Sequence, residues 1–217
     1  MGEYLKWDEY VLRDFSAPAV SAKYDEGYVF TRIGKGIMDQ TRSLRVELSK
    51  FELSSENRRI LKKTTDLTAS PVPLPYTAYD WKIGKLAKDF YEQKFGAGTF
   101  SANKIKELLT DPDKSNFNRL FVYTLPAETV GYCIAYENED LLHYCYPFYN
   151  LDAGQPNLGM GMMLRAVLYA QGIGKKYVYL GSAQRAGDTY KLQFAGLEWF
   201  DRTAWRTDSQ ELKKLLT

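Results

Sequence analysis

Two glycines near the start of a predicted helix could bring the main chain close to a reactive group. Gly159 and Gly161 open the helix predicted over residues 158–171, after a predicted strand and a loop. Because glycine has no side chain, the backbone there can approach a phosphate or an ester, and the first turn of a helix presents N–H groups without helical partners. A tight strand-to-helix turn with no ligand is the alternative interpretation.

Six cations in the first third of the chain could bind an anionic partner. They are Arg42 and Arg45 on a predicted strand, and Arg58, Arg59, Lys62 and Lys63 on a predicted helix. Cations of this kind pair with nucleic-acid phosphates, and the guanidinium fork also matches a carboxylate. A solvated basic helix face is the alternative interpretation.

The composition argues against several classes of protein. A net charge of +2 over 217 residues provides no global field for nucleic-acid binding, so local clusters would have to supply it. Cys133 and Cys145 lie in apolar, strand-like runs, and a single histidine without metal-ligand spacing predicts no metal site. No apolar stretch approaches the roughly 20 residues that span a bilayer. We therefore expect a cytoplasmic protein with no membrane partner.

His143 is the only side chain whose ordinary pKa suits a general base at neutral pH. It lies in the middle of a predicted strand, six residues before Tyr149. A hydrogen-bonded histidine in the core or at the surface is therefore the favoured interpretation, and a catalytic role is the alternative.

Apolar periodicity and turn residues predict a mixture of helices and strands. The predicted helices cover residues 56–63, 102–109 and 158–171, with shorter helical pieces near 81–91 and 189–194. The predicted strands cover residues 28–32, 44–48, 119–125, 129–137, 140–148, 176–180 and 198–205. Residues 64–75 contain three prolines and few charges, which indicates a connector.

The order of these elements resembles the acyltransferase fold of the GNAT superfamily. From Tyr79 onward two helices, three antiparallel strands, a glycine turn into a helix, a strand, a short helix and a strand follow one another. The resemblance predicts an α+β fold with a mixed, mostly antiparallel sheet flanked by helices. We expect a small basic N-terminal subdomain over residues 1–70 and a GNAT-like acyltransferase domain over residues 76–217.

Several short motifs together resemble the arginyl- and leucyl-tRNA–protein transferase family. In chain order they are the Leu-Arg strand over 42–48, the run from Phe51 to Arg59, Phe148-Tyr149-Asn150, Leu158-Gly159, Tyr179-Leu180-Gly181, Tyr190-Lys191-Leu192-Gln193-Phe194 and Trp205. The family usually carries cysteines near its N-terminus and just before the basic strand. The corresponding residues 17–20 and 38–41 contain none, which removes any cofactor site.

The resemblance implies an enzyme that moves an amino acid, arginine or leucine, from charged tRNA to a protein N-terminus whose first residue is acidic. Its implied catalytic residues are Tyr149, which would orient the acceptor amine, and Tyr190 and Lys191. The implied substrate-binding residues are Gly159, Gly161, Gln193, Arg42, Arg45, Arg58, Arg59, Lys62 and Lys63. Lys191 would contact a phosphate or the acceptor's carboxylate. Because the aminoacyl ester is already activated, no metal or cofactor is implied.

Two other functions remain open. An acyl-CoA-dependent N-acyltransferase would share the fold, but Pro156 stands where its loop usually opens with Gln or Arg, and Gln155 lies one position too early. A non-catalytic relative that binds tRNA or acidic N-termini is favoured by the missing cysteines. The retained glycine turn and the Tyr190–Lys191 pair argue against it.

Overall fold

The computed structural model of the protein describes residues 4–126 and 128–216. Its helices are α1 (Ala17–Asp25), α2 (Ser55–Lys63), α3 (Trp81–Phe95), α4 (Ala102–Thr110), α5 (Leu158–Gly172) and α6 (Ser209–Leu216). Its strands are β1 (Asp8–Val11), β2 (Tyr28–Phe30), β3 (Ile37–Gln40), β4 (Ser43–Glu47), β5 (Thr68–Pro73), β6 (Arg119–Leu125), β7 (Glu128–Glu137), β8 (Leu141–Tyr149), β9 (Tyr177–Ser182), β10 (Leu197–Phe200) and β11 (Trp205–Arg206). Short 3-10 helices cover Leu48–Lys50 and Ala186–Gln193.

The chain folds into two compact units whose segments alternate along the sequence. Among the described residues, unit 1 takes residues 4–56, 138–143 and 170–216, and unit 2 takes residues 57–126, 128–137 and 144–169. The predicted division into domains at residues 70–76 stays a prediction. Within the described ranges, no helix combines the length and the apolar character that a membrane crossing requires.

Unit 1 contains a small sheet and one part of a larger sheet. The small sheet has the order β1-β3-β2, and both of its pairings are antiparallel. The larger sheet runs β11-β10-β4-β9 and then reaches the first residues of β8. β4 is antiparallel to β9 and β10, whereas β9 is parallel to β8 over Leu141–His143. The Leu-Arg strand β4 therefore lies in the interior of the sheet, and Ser43 to Val46 are buried.

Unit 2 contains the rest of β8 and the strands that follow it in the order β8-β7-β6-β5. β6 is antiparallel to both β5 and β7. The fully buried core of unit 2 includes Leu120, Phe121, Val130, Ile134, Phe148 and Leu164. The predicted α+β class, with a mostly antiparallel sheet flanked by helices, is confirmed.

The segment over residues 64–75 corrects one prediction. Thr68–Pro73 is not part of a connector but forms β5, which pairs with β6 along six residues. β5 is the last strand in the sheet order, and an edge strand tolerates Pro71 and Pro73 because half of its N–H groups face away from the ladder. Prolines that indicate a loop are therefore also compatible with a sheet edge.

Some further elements differ from the prediction. The sequence patterns did not predict four elements: β1, β3, α1 and α6. In α1 only Val20 and Tyr24 are buried, and this apolar pattern is too sparse to indicate a helix. The strand predicted over 198–205 is interrupted, because Asp201 Oδ1 accepts the N–H groups of Thr203 and Ala204 and closes a turn between β10 and β11.

Candidate active site

Tyr149 lies in unit 2 between two glycines that leave room for its side chain. A Cβ atom on Gly159 would stand 2.8 Å from the Tyr149 hydroxyl oxygen, and one on Gly131 would stand 2.7 Å from the Tyr149 Cβ. The ring also packs against Phe90, with ring centroids 4.8 Å apart. The structure therefore brings the predicted site residues Tyr149 and Gly159 into contact. Gly131 was not among the predicted residues; a glycine inside a strand was its only signal.

The Tyr149 hydroxyl stands beside the first turn of α5. This helix begins at Leu158, after Asn157 in the left-handed region with φ of 61°. The N–H of Gly159 is thus one of the first-turn N–H groups that have no acceptor within the helix. Burial raises the pKa of Tyr149, so its hydroxyl stays protonated at neutral pH. A hydroxyl and a helix N-terminus at one place can orient an amine and polarise a carbonyl oxygen.

Gly161 has a different role from the one predicted. Its N–H donates to the Asn157 carbonyl oxygen at 2.8 Å, so the predicted exposed donor is wrong for this residue. A Cβ on Gly161 would stand 2.9 Å from both Oγ1 and Cγ2 of Thr64, which is fully buried. Gly161 therefore allows the chain that follows α2 to pack tightly against α5.

Arg165 fixes that packing and was not among the predicted residues. Its Nε donates to the Leu67 carbonyl oxygen at 2.6 Å, and its Nη1 donates to Thr64 Oγ1 at 2.9 Å. Nη2 donates to the Thr64 carbonyl oxygen. An arginine within an otherwise apolar helix was the available signal, because such a charge must find acceptors when it is buried.

The basic face of α2 is exposed to solvent in unit 2. Its four exposed cations are Arg58, Arg59, Lys62 and Lys63. The opposite side of the helix buries Asn57 and Ile60. Gln155 Nε2 donates to the Lys63 carbonyl oxygen at 2.8 Å, which ties the loop before α5 to the end of this helix. The basic face and the start of α5 thus belong to one connected region of unit 2.

Lys191 is buried in unit 1, although a lysine in this kind of segment is usually solvated. It is 8% exposed, and its Nζ donates to the Ser182 carbonyl oxygen at 2.9 Å. The Asp188 carboxylate lies 3.6 Å from the same nitrogen and also accepts the N–H groups of Gln184 and Arg185. The 3-10 helix therefore holds an ammonium group at the end of β9.

Tyr190 and Gln193 flank Lys191 on the same 3-10 helix. The Tyr190 side chain is exposed, and Gln193 Nε2 donates to the Tyr190 carbonyl oxygen at 2.7 Å. Gly181, near the end of β9, has φ of 74°, a left-handed conformation that favours glycine, and the register between β4 and β9 shifts between the pairs Arg45–Tyr179 and Ser43–Ser182. The roles predicted for Tyr190, Lys191 and Gln193 stay predictions.

Arg45 is enclosed by acidic and aromatic groups of unit 1. Its Nε donates to Glu198 Oε2 at 2.7 Å, and its Nη1 donates to Asp25 Oδ1 at 2.8 Å. The guanidinium also lies 3.9 Å from the ring centroids of both Tyr177 and Trp205. With 6% exposure, the side chain acts as a structural link between strands, and its predicted binding role stays a prediction.

Arg42 has the opposite surroundings in the same unit. Its side chain is half-buried, and its Nε atom is buried without a hydrogen-bond partner in the described part of the chain. Burial lowers the pKa of Arg42, and within residues 4–126 and 128–216 no carboxylate offsets this effect. The Arg42 carbonyl oxygen accepts the N–H of Ala183 at 2.9 Å, which places this residue at the end of β9 as well.

His143 is a core histidine of unit 1. It is 1% exposed, and its Nδ1 lies 2.9 Å from the Tyr24 hydroxyl oxygen. Burial, followed by the positive charge of Lys191, lowers the pKa of His143 to about 3. A general base at neutral pH needs a pKa near the working pH, so His143 is unsuited to that task. The favoured interpretation of a hydrogen-bonded histidine is confirmed.

Two open cavities occur in unit 1 away from the predicted residues. One of about 300 Å³ is lined by Lys50, Leu192, Phe194, Gly196, Leu197, Glu198, Thr207 and Ser209. Another of about 510 Å³ is lined by Asp25, Glu26, Tyr28, Gln40, Phe200, Arg202, Thr203, Ala204 and Trp205. Neither lining includes a predicted site residue.

Comparison with solved structures finds proteins that share features of this fold. The structure is similar to that of FemX, with a TM-score of 0.53, 10% sequence identity, and coverage of 92% of this chain and 71% of that chain. A GCN5-related N-acetyltransferase from Kribbella flavida gives a TM-score of 0.42 at 14% identity, over 73% of this chain and 54% of that chain. These similarities concern the fold alone.

Comparison with curated proteins confirms the predicted resemblance to the aminoacyl-tRNA–protein transferase family. The relatives are named aspartate/glutamate leucyltransferase. The one from Parvibaculum lavamentivorans is 28% identical over 172 residues, which are 76% of this chain and 68% of the relative. The one from Alkalilimnicola ehrlichii is 27% identical and covers 76% and 70%, and one from Cereibacter sphaeroides is 24% identical and covers 77% and 62%. The chain thus spans about two thirds of the length of these relatives, and no family model matches it.

Proposed function

We propose that the chain is an aminoacyl-tRNA–protein transferase that moves leucine from charged tRNA to the N-terminal amine of proteins beginning with aspartate or glutamate. The relatives support this proposal, because they are named for this amino acid and for these acceptors. The sequence motifs did not distinguish arginine from leucine as the transferred amino acid, and the names of the relatives favour leucine.

The observation that carries the proposal is the contact of the Tyr149 hydroxyl with Gly159 at the start of α5. An aminoacyl ester is already activated, so the enzyme has to position the amine beside the carbonyl group and stabilise the oxyanion. Positioning can lower the barrier by about 7–11 kcal/mol, and one oxyanion donor contributes about 3 kcal/mol. A protonated hydroxyl and a first-turn N–H are suitable groups for these two tasks.

In the proposed reaction the unprotonated amine attacks the carbonyl carbon of the aminoacyl ester. A C–N bond forms, the Gly159 N–H stabilises the oxyanion, and the Tyr149 hydroxyl oxygen accepts an amine N–H and orients the nitrogen lone pair. The C–O bond to the tRNA ribose then breaks, and the proton lost by the amine ends on the ribose hydroxyl. An α-amino group has a pKa of about 7.7–8.0, so only modest help from a base is needed.

The exposed cations of α2 are proposed to bind phosphates of the tRNA. Four side chains on one solvent-facing surface can pair with successive backbone phosphates, and Arg and Lys contacts of this kind make affinity strongly dependent on salt. Tyr190, Lys191 and Gln193 are proposed to bind the donor, as the family resemblance implies.

Radiolabelled transfer tests the proposal. Purified protein should incorporate leucine from leucyl-tRNA into a peptide that begins with Asp or Glu. Tyr149→Phe should reduce kcat about 10- to 100-fold with little change in KM, because it removes the hydroxyl that orients the amine but keeps the ring packing. Tyr10→Phe, which alters an exposed tyrosine on β1, is the matched control and should have wild-type activity.

Other outcomes select other functions. Incorporation from arginyl-tRNA instead of leucyl-tRNA would change the donated residue but keep the reaction. Turnover of acetyl-CoA without transfer from any charged tRNA would indicate an acyl-CoA-dependent N-acyltransferase. Retention of charged tRNA or acidic peptides without any turnover would indicate a non-catalytic binding protein.

A further inference from the structure

Gly131 lies inside β7, and a residue of the neighbouring strand β8 fills the space beside it. A Cβ on Gly131 would stand 2.7 Å from the Tyr149 Cβ, 3.0 Å from the Phe148 carbonyl oxygen and 3.1 Å from Met162 Cε. The first two atoms are fixed by the backbone of β8 and cannot rotate away, in contrast to the end of the methionine side chain. A glycine inside a strand often marks such a close approach. Gly131 therefore allows the base of the Tyr149 side chain to lie directly against β7.

Phe90 on α3 supports the Tyr149 ring itself. The two ring centroids are 4.8 Å apart and the ring planes are tilted by 54°, which is a favourable geometry for an aromatic pair. Phe90 is buried, and the hydroxyl of its neighbour Tyr91 donates to the Pro147 carbonyl oxygen at 3.0 Å. α3 thus contacts both the Tyr149 ring and the backbone of β8 two residues earlier.

The first turn of α5 lies along the edge of the same ring. A Cβ on Gly159 would stand 2.8 Å from the Tyr149 hydroxyl oxygen, 3.0 Å from Cε1 and 3.1 Å from Cζ. Tyr149 is therefore enclosed by β7, α3 and α5, and all of these contacts lie within unit 2. A rotation of its side chain would have to displace Phe90 or the first turn of α5. Packing of this kind holds a side chain in one rotamer.

We propose that Gly131 and Phe90 are positioning residues that hold the Tyr149 hydroxyl at the start of α5 for the transfer reaction. This inference rests on the proposed function. Neither residue touches the reacting atoms: Gly131 makes room for the base of the tyrosine side chain, and Phe90 fixes the direction of its ring. Such support matters because a displacement of about 1 Å in a reacting group can lower the rate about 100-fold.

Gly131→Ala tests the inference, because the added methyl group must displace Tyr149. In the leucine-transfer assay we expect kcat to fall about 10- to 100-fold, as in Tyr149→Phe, with KM changed less than about 2-fold. In the Tyr149→Phe background, Gly131→Ala should lower kcat by less than about 2-fold, because the hydroxyl that it displaces is already absent.

Phe90→Leu should show the same pattern with a smaller loss of about 3- to 10-fold, because leucine keeps the site apolar but does not hold the ring as firmly. Gly172→Ala is the matched control and should have the wild-type kcat. It lies at the other end of α5, and among the described residues no atom is within 4 Å of its added Cβ.

Several outcomes would overturn the inference while the proposed function stands. They are an unchanged kcat in Gly131→Ala, a loss of equal size in the wild-type and Tyr149→Phe backgrounds, and a wild-type kcat in Tyr149→Phe. The second outcome would mean that Gly131 supports the fold and does not act through the hydroxyl. Should Gly131→Ala not fold, Phe90→Leu decides by the same comparison of backgrounds.

A measurement without turnover separates the inference from the proposed function. If the wild type transfers nothing, the proposed function fails, and NMR of protein labelled with 13C at the tyrosine ζ carbon still reports on the position of the ring. The Tyr149 resonance is assigned by its absence from Tyr149→Phe. Gly131→Ala and Phe90→Leu should each shift this resonance more than Gly172→Ala does. An unchanged resonance in both variants would show that neither residue positions Tyr149.

Discussion

Arg42 and Arg45 lie three residues apart in unit 1, but their guanidinium groups have opposite surroundings. Arg45 is held by Glu198 and Asp25 and lies between two aromatic rings, whereas Arg42 has a buried nitrogen with no partner among the described residues. A buried charge whose hydrogen bonds are filled by the protein serves the fold. One that is left incomplete is a candidate for binding a ligand.

Gly159 and Gly161 in unit 2 show the same distinction in the backbone. At both positions a side chain would clash with its neighbours. Gly159 faces the Tyr149 hydroxyl and lies in the first turn of α5, whereas Gly161 faces Thr64 and its N–H already donates to the Asn157 carbonyl oxygen. One glycine therefore leaves polar groups available, and the other only permits tight packing. Residue type alone does not distinguish the two members of either pair.

In the comparison of Arg42 with Arg45, the largest effect on stability is expected for Arg45→Ala. Removing the guanidinium leaves Glu198, whose side chain is 13% exposed, without its partner and takes away the stacking with both rings. We expect a loss of about 3 kcal/mol in the free energy of unfolding. Urea denaturation measures it, and Arg206→Ala, which breaks an exposed pair with Asp201, is the matched control with a loss below about 1 kcal/mol. Equal losses in the two variants would show that burial does not distinguish these pairs.

An intermediate effect is expected from pH, through His143. Its pKa in the folded protein is about 3, below the value of about 6.5 in an unfolded chain, so between these values only the unfolded chain binds the proton. The stability due to this group is present above about pH 6.5 and falls by up to about 1.4 kcal/mol per pH unit on acidification.

His143→Gln is the control for that measurement, because the chain contains no other histidine. The difference in free energy of unfolding between the wild type and His143→Gln should be largest near pH 7 and smallest near pH 5. The reason is that acidification lowers the free energy of unfolding of the wild type more than that of the variant. Parallel pH profiles between pH 7 and 5 would mean that His143 is not desolvated in the folded protein.

The smallest effect is expected for Arg42→Ala on stability. Because no protein carboxylate is left behind, and because a partly desolvated charge is removed, the free energy of unfolding should change by less than about 0.5 kcal/mol or increase. The same denaturation experiment as for Arg45→Ala measures it. A loss comparable to that of Arg45→Ala would mean that Arg42 has a structural partner and would remove the contrast between the two arginines.

Much of the fold could be predicted from patterns along the chain. The helix at Leu158, the strands around residues 119–149 and the basic helix after Ser54 follow from apolar periodicity, capping residues and turn residues, which are local properties. β5 could not be predicted, because whether prolines mark a loop or a sheet edge depends on which strand pairs beside them. α1 was missed because only two of its residues are buried.

The order of motifs was sufficient to indicate the resemblance to the transferase family and the α+β fold, because both are carried by residue types at particular spacings. Which arginine is enclosed, which side chain each glycine packs against, and which lysine becomes buried were decided only by tertiary structure. Two of those properties depend on partners far away in the chain, Glu198 for Arg45 and Thr64 for Gly161, and the third depends on how the 3-10 helix folds back so that Lys191 reaches Ser182. Burial and hydrogen-bond partnership are properties of the folded packing, and no local pattern of residues specifies them.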